Sequence, residues 1–302
     1  MYRTEKIYSH LGEDLKYPIC VPSYGRPDNG FIKWVQSKNF DIPKDNLFMF
    51  VRKTKEQANM YKPLKEYVNI VYIDPDTKDA GDTRRQIVEW GYEKGHDLIF
   101  MPDDRVNGIW WLNTVERNGR TFLDVDKRST PKTAFQIWAK EHLKKGMVAT
   151  SISSKGFHWM ENRVNKPIEP LNGGSGLFSC VALSPKPIIE NDANYRPIEE
   201  TGVEDVYITY ALLTHRLPIC NLSDICFSLC PYVDVGGNTG TFPNMGRNDR
   251  HLKVKKMFWE KTLGLEWGEK HPGFTVVQTK NEPDIIRVNY KYWRKYYNDN
   301  TE

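Results

Sequence analysis

Nowhere in the 302 residues does an apolar run approach the roughly 20 residues that a membrane-spanning helix requires. The opening MYRTEKIYSHLGEDLKY also lacks the apolar centre of a signal peptide. Both absences lead us to expect a soluble, cytoplasmic protein. A large excess of one charge sign is missing as well: the net charge of +4 neither requires nor excludes a polyanionic partner. Cysteines are few, and Cys220, Cys226 and Cys230 have neither CxxC spacing nor nearby histidines, which argues against a zinc knuckle. Together with Cys20 and Cys180, in the apolar contexts "YPICVPS" and "LFSCVAL", they read as reduced, mostly buried thiols. Internal repeats, low-complexity tracts and convincing linkers are missing too, so one domain over 1–302 is expected.

What is present is a regular alternation. "YPICVPS" (17–23), "NLFMFVR" (46–52), "NIVYID" (69–74) and "DLIFMPD" (97–103) are apolar runs of strand length. Helical patterns separate them at 28–39, at 53–67 with Pro63 interrupting, and at 80–94. That spacing predicts an α/β fold with a mixed, mostly parallel sheet and helices on both faces, Rossmann-like in its N-terminal half. Ligands in such sheets bind beyond the carboxyl ends of the strands. Further on, 107–130 reads as a hairpin or loop and 131–146 as a helix, with Pro131 at its start and Gly146 after its end. Strands are expected at 147–153, 176–184 and 218–229, with a helix at 203–216. A basic helix (249–263) and the aromatic, basic "VNYKYWRKYYN" follow.

The fourth run ends on Asp103 and Asp104, two adjacent carboxylates at the edge of the expected crevice. Like charges in a partly dry cleft repel unless a cation or hydrogen-bond donors compensate, and a divalent ion carrying a phosphorylated ligand is one solution. Read alone, the pair is equally an exposed turn. Three other stretches bear on the choice. "VPSYGRPD" (21–28) places Pro22, Ser23, Tyr24 and Arg26 at the end of the first strand, before a helix whose N-terminal amides favour anions. "DAGDTRRQIVEWGYEKG" (79–95) carries Arg84 and Arg85, of which helical periodicity turns only one, Arg84 by preference, into the crevice. "ETGVEDVYITYALL" (200–213) opens a helix with Glu204 and Asp205, acids that would also simply complement a helix dipole.

In this order the motifs resemble the GT-A fold of nucleotide-sugar-dependent glycosyltransferases, across about residues 17 to 230. Within that group the mix is most similar to the enzymes associated with TET/JBP-type base dioxygenases, which act on hydroxymethylated pyrimidines in phage DNA. The resemblance implies a nucleotide-binding half at about 17–105, an acceptor-side half at about 106–248 and a C-terminal extension at about 249–302. It implies a donor, by preference a UDP-sugar, held by Pro22, Ser23, Tyr24, Arg26, Arg84, Arg85 and Asp103. Asp103 and Asp104 would bind Mn²⁺ or Mg²⁺, with His251 as a further ligand. Asp205 would be the general base of an inverting transfer, with Glu204 orienting it. "PDDR" departs from the family's DDD in one of two registers: Pro102 replaces the first acid, or Arg105 replaces the last and itself meets the diphosphate.

Two glycine clusters remain. "LNGGSGLFSC" (171–180) lets backbone approach a sugar at Gly173, Gly174 and Ser175, or is a plain turn; it lacks the lysine and helix of a P-loop. "VDVGGNTGTFPNMGRNDRH" (233–251) reads as a long loop. A DNA acceptor would need cations and stacking aromatics, which "RHLKVKKMFWEK" with Trp259 and "YKYWRKYY" with Trp293 offer, unless these are a solvated face and packing residues. The other readings carried forward are a transferase acting on a polysaccharide or small acceptor, and a catalytically silent nucleic-acid-binding module.

Overall fold

The structure is a computed structural model and describes residues 14–117, 120–154, 179–230, 245–277 and 285–298. The first half runs β1 (Ile19–Pro22), α1 (Gly30–Val35), β2 (Leu47–Arg52), α2 (Lys55–Tyr61), β3 (Asn69–Ile73), α3 (Ala80–Glu93) and β4 (Ile99–Pro102). Pro63 acts as expected: α2 gives way to a 3₁₀ turn at Lys62–Glu66. The 107–130 stretch is a hairpin, β5 (Val106–Arg117) and β6 (Arg120–Val125). Next comes α4 (Pro131–Lys144), started by a Thr130–Thr133 capping box with Pro131 in its first turn, then β7 (Ala149–Ser154) and β8 (Cys180–Leu183). The remaining elements are α5 (Pro185–Glu190), α6 (Ile198–Thr201), α7 (Glu204–Thr214), β9 (Ile219–Leu229), α8 (Arg247–Met257), β10 (Phe274–Val277), β11 (Ile285–Val288) and α9 (Tyr290–Asn298).

One sheet takes the order β3-β2-β1-β4-β8-β7-β9-β5-β6, and β10-β11 form a separate hairpin. The first four strands are mutually parallel; β8 and β5 alone run against the rest, so the sheet is mixed with a dominant direction. The two-residue period of the strands sorts their side chains onto two faces. Ile19, Val21, Met49 and Phe100 pack with Phe31 of α1 and Phe135 and Trp138 of α4. Cys20, Phe50, Ile99 and Met101 pack with Ile87 and Val88 of α3, Leu212 of α7 and Phe258 beyond α8. Helices therefore cover both faces, and the ends of β1, β2 and β4 open at one edge.

The C-terminal aromatics are core. Trp259 and Trp293 are 1% and 3% exposed, and their ring N–H groups donate to the Glu269 and Gly273 carbonyls at 3.1 and 3.0 Å. A base cannot stack on rings buried this way, which corrects the stacking role offered for them. All five cysteines are free thiols, four of them buried. Among the described residues no helix is long and apolar enough to cross a membrane.

Candidate active site

A cleft of about 170 Å³ lies where the ends of β1, β2 and β4 meet the starts of α3 and α7. From β1 it receives Pro22, Ser23, Tyr24 and Arg26, and from the end of β2, Arg52. The start of α3 contributes Asp79, Ala80, Thr83 and Arg84, and the exit of β4 contributes Asp103, Asp104 and Arg105. Glu204 of α7 and His251 of α8 complete the wall.

Asp104 forms the floor, 1% exposed. Its Oδ2 accepts from the Ser23 hydroxyl at 3.0 Å, and Nη2 of Arg26 lies 2.8 Å from Oδ1, an ion pair whose N–H is not aligned as a hydrogen bond. Ser23 is itself fixed by the Tyr61 hydroxyl at 2.7 Å, so β1, α2 and β4 are tied through one network. Backbone locks the same turn: Phe31 N–H donates to the Asp104 carbonyl at 3.0 Å, and Gly30 lies so close that a Cβ there would be 2.6 Å from the Arg105 carbonyl oxygen. The expected anion site at the start of α1 is not available in this form, because Asp104 and the Asn29 cap already hold the Phe31 and Ile32 amides.

The two aspartates differ. Asp103 accepts from the Arg105 amide at 2.9 Å and has Arg84 Nη2 3.9 Å from its other oxygen. Burial pushes its carboxyl up, but Arg84 and that amide outweigh it and hold it below the usual range. Burial and the neighbouring Asp103 charge push Asp104 well up, against the pull of Arg26. A pair of like charges about 4 Å apart costs about 4 kcal/mol at an effective dielectric of about 20, enough to keep one of them protonated.

Arg84 joins the two acidic pairs. It is 5% exposed, its guanidinium sits 5.9 Å over the Tyr195 ring, and its Nε and Nη1 have no hydrogen-bond partner. Burial opposes its charge, yet Tyr195, Glu204, Asp103 and Asp205 around it raise its pKa. Asp205 of α7 has a buried Oδ1 without a hydrogen-bond partner. Burial first and the Glu204 charge second push its pKa up to about 7, against Arg84. Glu204 lines the cleft; Asp205 is not part of its wall.

Arg85 goes elsewhere, and its place among the donor contacts is corrected. Its side chain is 38% exposed and bound to Asp82 at 2.7 Å and Glu89 at 2.8 Å. These line a larger hollow, about 580 Å³, beside α3 and α5, where Arg196 and Asp192 also pair at 3.3 Å. The charges there are matched to each other, whereas the cleft holds guanidinium groups with unmet donors. Four residues of the cleft were not anticipated, Arg52, Asp79, Ala80 and Thr83, and two of them are charged. Arg52 closes the second apolar run and lies 4.2 Å over the Tyr24 ring; the rule that strand ends line the crevice would have found it. Asp79 caps α3 and accepts from Asp82 N–H at 3.1 Å and Ile198 N–H at 2.7 Å. Gly173, Gly174 and Ser175, with most of the 233–251 loop, lie outside the described residues.

A divalent ion does not fit the acids as they stand. Both oxygens of Asp104 and one of Asp103 already face an arginine, a hydroxyl or an amide, and the last faces Arg84. Among the described residues no three His, Cys, Asp or Glu side chains are grouped to hold a metal. His251 reaches the cleft wall, but it does not make Asp104 available. The metal role given to Asp103, Asp104 and His251 therefore lacks a donor set in this geometry.

The fold is that of GT-A glycosyltransferases, a mixed α/β sheet with helices on both faces and the cleft at its strand ends. S. aureus TarS 1-349, solved in complex with UDP-GlcNAc, matches it with a TM-score of 0.50 at 12% identity, over 83% of this chain and 67% of that one. The mannosyltransferase PcManGT from Pyrobaculum calidifontis, solved with GDP-Man and Mn²⁺, gives 0.49 at 11% identity, over 87% and 67%. Glucosyl-3-phosphoglycerate synthase from Mycobacterium tuberculosis, with Mg²⁺ and UDP, gives 0.43 at 9%, over 92% and 87%. At these identities the likeness is one of fold. No family model and no curated protein matches the sequence.

Proposed function

We propose that this chain is a glycosyltransferase that moves a sugar from a nucleotide-sugar donor to a hydroxyl acceptor with inversion. One observation carries the reading: Asp103, Glu204 and Asp205, drawn from two acid pairs 101 residues apart in sequence, surround the buried Arg84, and Arg84, Asp103, Asp104 and Glu204 line one cleft at the ends of parallel strands. The donor nucleotide lies along Pro22, Ser23, Tyr24 and Arg26, with its diphosphate toward Arg84. Because TarS 1-349 was solved with UDP-GlcNAc, a UDP-sugar is the first donor to try.

Asp205 takes the acceptor proton. A carboxyl raised to about 7 is half ionised near neutral pH, which suits general-base work. As the proton leaves, the acceptor oxygen bonds to the anomeric carbon from the face opposite the phosphate. The sugar–phosphate bond breaks, and its electron pair leaves with the nucleoside diphosphate. Arg84 and Arg26 meet the charge that builds there. Glu204, on the cleft wall, orients base and acceptor.

For the acceptor, 5-hydroxymethylpyrimidine in phage DNA is the specific proposal. It is supported by α8, which brings His251 to the cleft and carries Lys253, Lys255 and Lys256 beside it. The test is to incubate the protein with a panel of nucleotide-sugars and either hydroxymethylated or unmodified DNA. A mass increase of one sugar per base on the hydroxymethylated DNA alone is expected. Donor hydrolysis without transfer would move the acceptor to a saccharide or small molecule, and neither reaction would remove the transferase reading.

A further inference from the structure

We propose that the guanidinium groups of Arg26, Arg52 and Arg84 take the donor diphosphate directly, so that nucleotide binding to this cleft needs no divalent ion. The inference rests on the reading of the cleft as a nucleotide-sugar site. It departs from the usual arrangement, in which paired acids at a strand exit hold a metal and the metal holds the phosphates.

The first support is the state of the acids. Asp104 is closed off between Ser23 and Arg26, and Asp103 between the Arg105 amide and Arg84. Each aspartate is thus bonded into the protein, and each arginine that holds one also borders the cleft. Carboxylates arranged this way position guanidinium groups, Asp104 from the floor and Asp103, 30% exposed, from the cleft wall.

The second support is independent of the first. Nε of Arg26, Nε of Arg52, and Nε and Nη1 of Arg84 are buried donors without an acceptor, and all three residues line the same cleft. Buried polar groups in native proteins are nearly always paired, and Arg84 is 95% out of contact with solvent, from its exposure of 5%. These donors come from three separate elements, the β1 exit, the β2 end and α3. A single carboxylate cannot reach donors so spread, whereas a diphosphate offers acceptor oxygens over two phosphorus centres. Arginine's planar fork binds such oxygens in pairs, and it supplies the positive charge that a metal would otherwise bring. The neighbouring hollow, whose arginines are matched by acids, makes no such demand.

The test uses the whole chain and two probes, UDP and GDP, titrated by calorimetry in EDTA and again in Mn²⁺. Dissociation constants within about threefold of each other are expected for whichever nucleotide binds, since the donors on the protein are the same in both buffers. Arg84→Gln should weaken binding by about tenfold or more in both buffers. Should that variant fail to fold, Arg26→Gln, at the better exposed β1 exit, gives the same comparison. Binding that appears only with Mn²⁺ would overturn this inference and leave the transferase reading standing. Binding of neither nucleotide in either buffer would overturn both.

Discussion

The molecule contains two adjacent acid pairs that differ in how they are held. Asp103 and Asp104 end a strand, and both are tied down by arginines, a hydroxyl and an amide. Glu204 and Asp205 begin a helix whose Val203 cap makes no side-chain bond, and Asp205 keeps a buried oxygen without a partner. Burial raises both Asp104 and Asp205, but the first is held by side chains of other elements, Ser23 and Arg26, whereas the bonds to the second come from the backbone of its own helix turn. A strand exit fixes side chains through backbone on both sides, while the first turn of a helix leaves them projecting from one end. The difference matches the two roles proposed above, one acid organising cations and one accepting a proton.

Four measurements sharpen that contrast. Asp205→Asn should reduce transfer by about 10²- to 10⁴-fold with nucleotide affinity retained, the usual cost of losing a general base; near-normal transfer would take Asp205 out of that role. In the unmodified protein, kcat/KM should fall about tenfold per pH unit below the Asp205 value of about 7, because the protonated carboxyl cannot accept a proton. A flat profile from pH 5 to 7 would break the assignment. Glu204→Gln removes the charge that raises Asp205, so the acid limb of the same profile should move to lower pH. An upward move would show that Glu204 does not act on Asp205 in this way.

The smallest effect concerns the other pair. Asp104 is raised in the folded protein to about 8, so its contribution to stability is present at low pH and is lost as pH rises through that value. Asparagine resembles the protonated acid, and Asp104→Asn should therefore gain about 1 kcal/mol, or about 2 °C in Tm, over the unmodified protein at pH 9, with little difference near pH 4, below which the unfolded chain also holds the proton. Thermal melts at the two pH values check this. A variant less stable at both would show that the ionised form is the one the network holds.

The first four strands were legible because each is a short apolar run of strand length set off by polar stretches, and α3, with 14 residues, is long enough to show its own period. Pro63, and Pro131 with Gly146 further along, marked helix boundaries through local chemistry. The pairing of β4 with β8 and of β7 with β9 was not legible, since those contacts are set by distant packing and no local pattern encodes them. Short elements such as α5 and α6 fall below the length at which periodicity is distinct. Within the site, the order of Ser23, Arg84, Asp103 and Glu204 along strand and helix ends could be read, because ligand clefts form there. The split between Arg84 and Arg85 followed from helical geometry, but the pairing of Arg85 with Asp82 and Glu89 required the structure. That Asp104 would turn inward to Ser23 and Arg26 had no sequence signal, because a DD pair reads the same whether it faces a ligand or the core.

Gly202, one turn before the second acid pair, has a φ of +87°, and any Cβ there would meet the backbone of Val254 and Phe258 at 2.4 and 2.3 Å. The end of α8 and the turn at Phe258 are therefore a buttress against which the approach to the Glu204–Asp205 end of α7 rests. Shortening or loosening that buttress would be felt first as misplaced chemistry two hundred residues away in sequence from the strand that opens the sheet.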